Sequence, residues 1–155
     1  MSRAAPTTSS TGQRVNRYLD TSALVKLVLD EPGTAVVETL WSEPDDQYAS
    51  LLGYAELRAA VSAAIRSGRV DALDALPARR GAEGVWRRVI AVEVDEALVR
   101  VAGDLADRHR LRAADAIHLA SAIRIREPDT AFVAFDARLR EAAAAEGFVV
   151  LPETV

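Results

Sequence analysis

The stretch Tyr18-Leu-Asp20-Thr-Ser22-Ala-Leu-Val-Lys26 decides the fold of this chain. An apolar run ends at Asp20, the hydroxyl residues Thr21 and Ser22 follow, and a helical pattern begins at once. This order predicts a β-strand, an acid at the carboxyl end of the strand, and then a helix. In open α/β sheets, ligands bind in the crevice beyond the carboxyl ends of the strands. Asp20 is therefore a candidate site residue, and further carboxylates are expected at the same edge.

Strand and helix patterns alternate along the rest of the chain. Strands are predicted over 15–20, 47–51, 89–94, 131–135 and 148–151, and helices over 23–29, 34–41, 53–66, 70–76, 96–109, 113–125 and 137–146. Pro77 ends the 70–76 helix in this interpretation, and Gly81 and Gly84 favour a loop after it. Because no hairpin signal joins the strands, we expect an α/β fold, a three-layer α/β/α sandwich with a central parallel sheet.

The composition is typical of one globular domain. The chain has 155 residues, half of them hydrophobic, and no cysteine, which excludes disulfides, thiolate metal sites and a cysteine nucleophile. No stretch approaches the roughly 20 apolar residues that cross a bilayer, so we expect a cytoplasmic protein without a membrane segment. Residues 1–13 are rich in Ser, Thr and Ala and are predicted to form a disordered tail before a domain over 14–155.

The charge does not indicate a generic nucleic-acid binder, because the net charge is −4. Lys26 is the only lysine, and the arginines that carry the other positive charges stand in tight groups along the chain. Arginine presents a planar fork of donors that suits phosphate, although most of these side chains are expected on solvated helix faces.

Asp20 and Asp136 stand in the same sequence context. In each case an apolar strand ends, a single acid follows, and a helix begins. One interpretation is a helix N-cap, where Asp is among the favoured residues and contributes about 1 kcal/mol. The recurrence of the pattern at two predicted strand ends favours a site as well.

Glu56 and Asp115 lie on predicted helices among small or apolar neighbours. Glu56 shares its face with small apolar residues, although a surface Glu near the positive end of a helix dipole is the alternative. Asp115 has Leu111 and Leu119 one turn away on either side. Charged side chains are rarely buried unless they are paired or bind a metal, so Asp115 is the more informative of the two.

The histidines do not complete a recognisable metal motif. Asp115 and His118 share a helix face, and Asp-x-x-His can form half of a zinc or di-iron site. The only other histidine is His109, and no Glu-x-x-His repeat exists. We therefore expect His118 to support the acids or to pack in the core, and His109 to lie at the surface.

Several carboxylates in one pocket repel one another, and their pKa values rise until some are protonated. A hard divalent cation removes that conflict, and oxygen-only ligands favour Mg²⁺ or Mn²⁺ over zinc. Such ions can activate a water and stabilise both oxygens of an in-line displacement at phosphorus. The acids therefore predict a metal-dependent phosphoryl-transfer site.

The motifs together resemble those of PIN-domain ribonucleases, and most closely those of the VapC-like toxins of bacterial toxin–antitoxin pairs. The matching segments are Tyr18-Leu-Asp20-Thr-Ser22-Ala-Leu-Val-Lys26, Asp30-Glu-Pro-Gly33, Tyr54-Ala-Glu56-Leu, Asp115-Ala-Ile-His118-Leu-Ala and Phe132-Val-Ala-Phe-Asp136-Ala-Arg-Leu. The resemblance extends from Val15 to Leu151.

This resemblance implies a PIN-like fold, commonly dimeric, and Mg²⁺- or Mn²⁺-dependent cleavage of single-stranded RNA. The residues that match the family's metal-binding acids are Asp20, Glu56, Asp115 and Asp136, and Thr21 or Ser22 matches its small hydroxyl position. The resemblance also implies a cognate antitoxin that inserts into the active-site groove. Arg138 is a candidate contact for the RNA backbone.

Two alternatives remain open. The chain could be a PIN-like binding module that is catalytically silent, although all four acids are present. It could also be a structure-specific DNA nuclease with the same chemistry. Cleavage of single-stranded RNA compared with flap DNA would separate the nuclease alternatives.

Overall fold

The computed structural model describes residues 14–154, and the predicted disordered tail over 1–13 lies outside this range. Five strands form a single parallel sheet in the order β3-β2-β1-β4-β5. The strands are β1 (Asn16–Leu19), β2 (Asp46–Ser50), β3 (Ile90–Val92), β4 (Ala131–Val133) and β5 (Val149–Leu151). All five predicted strands are therefore present, each shorter than predicted or equal to it in length.

Helices cover both faces of the sheet. They are α1 (Thr21–Lys26), α2 (Thr34–Ser42), α3 (Leu52–Arg66), α4 (Ala75–Trp86), α5 (Glu96–His109), α6 (Ala113–Arg124) and α7 (Ala137–Ala145). Tyr18 of β1 packs into one core with α5, α6 and α7, and Leu19 packs into the other with α1 to α4. Successive side chains of a strand point to opposite faces, so one strand serves both cores. The predicted three-layer α/β/α fold is confirmed.

The order of the strands places a crevice between β1 and β4. From β1 the chain proceeds outward to β2 and β3, and it then returns to the other side of β1 to form β4 and β5. Leu19 pairs with Val133 at the ends of these strands, and the Asp20 amide donates to the Val133 carbonyl at 2.9 Å. This is the topological switch point at which open α/β sheets bind ligands.

The prediction for residues 70–86 is wrong. Residues 70–74 form no helix, α4 begins at Ala75, and the segment assigned to a loop is most of α4. Pro77 lies in the first turn of α4, where an amide has no partner within the helix, so proline is tolerated there. Between the two glycines, Ala82 packs into the core that α1, α2 and α3 share. Packing of the fully buried Ala82 therefore outweighs the low helix propensity of the two glycines.

Within residues 14–154, every helix falls short of the length and apolar character that crossing a bilayer requires.

Candidate active site

Asp20 directly follows the central strand β1 and is almost completely buried, with 6% of its surface exposed. Its Oδ2 accepts hydrogen bonds from the Ser22 hydroxyl at 2.8 Å and the Ser22 amide at 3.3 Å, so it caps α1. The same Ser22 hydroxyl accepts from the Phe135 amide at 3.2 Å, one residue before Asp136. Ser22 therefore links the ends of the two strands that carry these acids.

Asp136 follows β4 and caps α7, where its Oδ1 accepts from the Leu139 amide at 3.0 Å. The N-cap interpretation thus describes both Asp20 and Asp136 correctly as local structure. An ionised carboxylate has about four lone-pair sites, and a cap uses only part of them. The caps fix the direction of both carboxylates and leave acceptor capacity for a ligand.

Glu56 reaches the same region from α3, in the opposite layer from α6. Its Oε2 accepts from the Thr21 hydroxyl at 2.6 Å and lies 2.6 Å from His118 Nε2. Partial burial acts to raise the pKa of Glu56, but the hydrogen bonds from His118 and Thr21 outweigh burial, so its pKa lies below the usual value. The structure therefore stabilises Glu56 as a carboxylate.

His118 stands between these acids with only 1% of its surface exposed. Its Nε2 is 2.6 Å from Glu56 Oε2 and 3.5 Å from Asp20 Oδ1. Burial acts to lower the pKa of His118, but the hydrogen bond with Glu56 and the nearby negative charges outweigh burial, so its pKa is raised. The residue expected to support the acids thus contacts two of them directly.

The carboxylate of Glu56 assigns the tautomer of His118. Because a carboxylate only accepts hydrogen bonds, Nε2 carries the proton that is donated to Glu56 Oε2. Nδ1 of the neutral ring then accepts from the buried Tyr18 hydroxyl at 2.8 Å, and Tyr18 Oη itself accepts from the Ser50 amide at 3.0 Å. Sequence reasoning missed the roles of Tyr18 and Ser50, although a fully buried tyrosine needs a partner for its hydroxyl.

Asp115 lies in the first turn of α6 and is half-buried. Burial raises its pKa, and the negative charges of Asp20 and Asp136 raise it further, against opposing effects of His118 and Arg112. This shift places Asp115 within the electrostatic reach of both strand-end acids. Asp115 is thus coupled electrostatically to Asp20 and Asp136, and His118 contacts both Asp20 and Glu56.

The donors fit a hard divalent cation. Over residues 14–154, no three His, Asp or Glu side chains form a ready-made metal site. The repulsion that raises the pKa of Asp115 nevertheless comes from Asp20 and Asp136, and a cation between such oxygens relieves it. Carboxylate oxygens are the ligands that Mg²⁺ and Mn²⁺ prefer.

Arg138 is exposed in the first turn of α7, two residues after Asp136, and shares a cavity with His109. The prediction that His109 is a plain surface residue is wrong. Its side chain is 15% exposed and its Nε2 lies 2.7 Å from Glu146 Oε1. This pair spans 37 residues of sequence, so no local pattern could indicate it.

Comparisons with known proteins agree with this architecture. The model of the PIN domain family matches residues 17–145. Ribonuclease VapC45 of Mycobacterium tuberculosis is 38% identical over 135 residues, which cover 87% of this chain and 94% of the relative.

Solved structures share the fold at lower identity. PAE2754 from Pyrobaculum aerophilum has a TM-score of 0.65 and 18% identity, with 88% of this chain and 89% of that chain covered. A toxin–antitoxin complex from Klebsiella pneumoniae contains a chain with a TM-score of 0.56 and 16% identity, with 78% and 87% covered. At these identities the likeness concerns the fold.

Proposed function

The chain belongs to the PIN-domain family, and from this membership and its four converging acids we propose that it is a metal-dependent endoribonuclease cleaving single-stranded RNA. The observation that carries the proposal is the position of Asp115, half-buried in the field of Asp20 and Asp136. Its relative VapC45, at 38% identity, is named a ribonuclease. A cluster of acids at a switch point has the chemistry that phosphodiester hydrolysis requires.

In this proposal Asp20, Glu56, Asp115 and Asp136 hold Mg²⁺ or Mn²⁺. When bound, the cation supplies an activated water and neutralises charge that develops on the phosphate. The chain's own residues orient the ligands: Ser22 fixes Asp20, and His118 with Thr21 fixes Glu56. Partners of this kind typically change metal affinity or activity by about 10- to 100-fold when they are removed.

We further propose that the protein is the toxin of a toxin–antitoxin pair, a homodimer that acts on cytoplasmic RNA. Support comes from its VapC relatives and from the shared fold with a chain of the Klebsiella pneumoniae toxin–antitoxin complex. A cognate antitoxin would bind in the groove that contains the acids. In this proposal Arg138, which is exposed two residues after Asp136, holds the RNA backbone.

The test is cleavage of single-stranded RNA by the purified protein with Mg²⁺ or Mn²⁺, against an EDTA control. Asp115→Asn is the informative variant, because Asp115 caps no helix and the substitution removes a charge that its neighbours repel. We expect a loss of about a hundredfold or more. Asp104→Asn, an identical change at an exposed position of α5, is the matched control.

The outcomes separate the alternatives. Cleavage by Asp115→Asn at the wild-type rate would contradict the assignment of the acids. Metal-dependent cutting of flap DNA but not of single-stranded RNA would favour the DNA nuclease. A folded protein that neither cuts nor binds metal would be the silent binding module.

A further inference from the structure

Most arginines in the described part of the chain already have a partner. Seven arginines pair with carboxylates, namely Arg14, Arg17, Arg58, Arg69, Arg100, Arg108 and Arg124, and Arg88, Arg126 and Arg140 donate to backbone carbonyls. Within residues 14–154, the arginines with no carboxylate within salt-bridge distance and no side-chain hydrogen bond are Arg66, Arg79, Arg80, Arg87, Arg110, Arg112 and Arg138. Arg110 and Arg138 are set apart from the other five because they share a cavity.

Both arginines line one cavity. It has a volume of about 450 Å³ between the end of α5 and one face of α7, and its lining is His109, Arg110, Arg138, Glu141, Ala142 and Ala145. The α7 residues recur at helical spacing, so the cavity follows that helix from its first turn. It begins two residues after Asp136 and therefore leads away from the acid cluster.

The cavity suits an anion despite the acidic net charge of the protein. Glu141 is the single carboxylate among the lining residues, and the nearby Glu146 is already engaged by His109 and Arg108. Ala142 and Ala145 add no charge to the lining. Arginine binds phosphate through parallel N–H donors, so a phosphodiester is the ligand that this chemistry favours.

The backbone conformation of Arg110 is a second observation that favours a role for this residue in the cavity. It ends α5 in the left-handed conformation, with φ 53° and ψ 42°, and it is the only non-glycine residue in 14–154 with positive φ. Glycine or asparagine normally occupies this place, because a β-carbon is strained there. An arginine at this position costs stability and supplies a guanidinium to the cavity.

We propose that Arg110 and Arg138 form a subsite that binds a phosphate of the RNA strand beyond the one that is cleaved. This inference rests on the proposed function for the identity of the ligand. The subsite extends the substrate contact from the acids along α7. It also explains how an acidic protein holds a polyanion beside a cluster of carboxylates.

The test measures binding separately from cleavage. The affinity of the full-length protein for a fluorescent single-stranded RNA is measured in EDTA over a range of salt concentrations. Arg110→Gly and Arg138→Ala should each weaken binding about fivefold or more and lower the salt slope by about 0.7. In cleavage assays with metal, each should raise KM more than it lowers kcat.

Two controls distinguish a lost contact from a damaged fold. Arg110→Gly removes backbone strain, so its Tm should equal or exceed that of the wild type while its RNA affinity falls. Arg100→Ala makes the same charge change on the exposed face of α5, where Arg100 pairs with Glu96, and should leave affinity unchanged.

Wild-type affinity and salt slope in both cavity variants would overturn the subsite, as would an equal loss in Arg100→Ala or no RNA binding by the wild type. Weaker binding confined to the cavity variants would support the subsite even if the wild type cut no RNA. That result would leave the subsite standing while the proposed nuclease activity failed.

Discussion

His118 connects an acid on a helix with an acid at the end of a sheet strand. Glu56 lies on α3, Asp20 follows the central strand, and the imidazole lies within 3.5 Å of a carboxylate oxygen of each. The Tyr18 hydroxyl orients the ring through a hydrogen bond with Nδ1, and the Ser50 amide donates a hydrogen bond to that hydroxyl. The Ser50 amide of β2 therefore orients Glu56, a candidate metal ligand on α3. It acts through two buried side chains, those of Tyr18 and His118.

Tyr18→Phe tests this relay. The change leaves the buried Ser50 amide without its acceptor, which should lower the free energy of unfolding by about 1–3 kcal/mol. It also removes the hydrogen bond that orients the His118 ring through Nδ1, so RNA cleavage should fall by about tenfold or more. Urea unfolding and cleavage rates measure the two effects.

Tyr48→Phe is the matched control for that prediction. Tyr48 lies on the neighbouring strand, is half-buried, and has no side-chain hydrogen bond within residues 14–154. The same chemical change there should alter neither quantity. If the two variants behaved alike, the Tyr18 hydroxyl would have no special role.

At the scale of elements, the sequence predicts those helices and strands that local interactions determine, and it misses those that depend on residues far apart in the chain. Both ends of α5 are predicted correctly, because Asp95 caps its first turn and an apolar stripe runs through it. α4 is missed, because the burial of Ala82 in the core outweighs the low helix propensity of its two glycines. At the candidate site, strand ends locate Asp20 and Asp136, but Tyr18 and His118 meet across 100 residues and no local pattern joins them.

Glycine substitutions should separate these local and tertiary effects. Gly84 lies within α4, and a Cβ there would have no neighbour within 4 Å, so Gly84→Ala should stabilise the protein by about 0.5–1 kcal/mol. Gly33 has φ +94°, and its Cβ would lie 2.7 Å from Phe135 Cε1. Gly33→Ala should therefore destabilise by about 1–2 kcal/mol or more.

Chemical denaturation of both variants gives these free energies. The two substitutions add the same methyl group, so the comparison depends only on the surroundings. A loss of stability in Gly84→Ala would mean that α4 does not behave as a helix in solution.

The contact between α5 and α7 should depend on pH. The hydrogen bond from His109 lowers the pKa of Glu146, and Arg108 lowers it further against an opposing effect of burial. A carboxyl group with a depressed pKa stabilises the fold above its unfolded pKa, about 4.3, and this contribution is lost as the pH falls through the folded value.

Glu146→Gln should therefore lower the free energy of unfolding by about 0.5–1 kcal/mol at neutral pH. The difference from the wild type should shrink below about pH 4.3. Glu141→Gln, the same change at an exposed position of α7, is the matched control. A constant difference between Glu146→Gln and the wild type from neutral to acidic pH would contradict the assignment.

At the scale of the whole molecule, the candidate ligands join both layers of the sandwich. Glu56 belongs to the α1–α4 layer, Asp115 belongs to the α5–α7 layer, and Asp20 and Asp136 follow strands of the sheet between them. The repulsion that raises the pKa of Asp115 is therefore a repulsion between elements. A cation bound by these acids would hold the layers together, so metal binding and global stability should be linked.

This linkage can be measured by thermal unfolding. A ligand that binds only the folded state stabilises it by about 2.7 kcal/mol at a hundredfold excess over Kd. We expect the Tm to rise with Mg²⁺ or Mn²⁺ concentration in the wild type and to rise much less in Asp115→Asn. Asp104→Asn should follow the wild type.

Because Asp115→Asn also removes a charge that Asp20 and Asp136 repel, its Tm in EDTA should equal or exceed that of the wild type. If the wild-type Tm did not change with either metal, or if the Tm of Asp115→Asn rose as much as that of the wild type, these acids would not hold the cation.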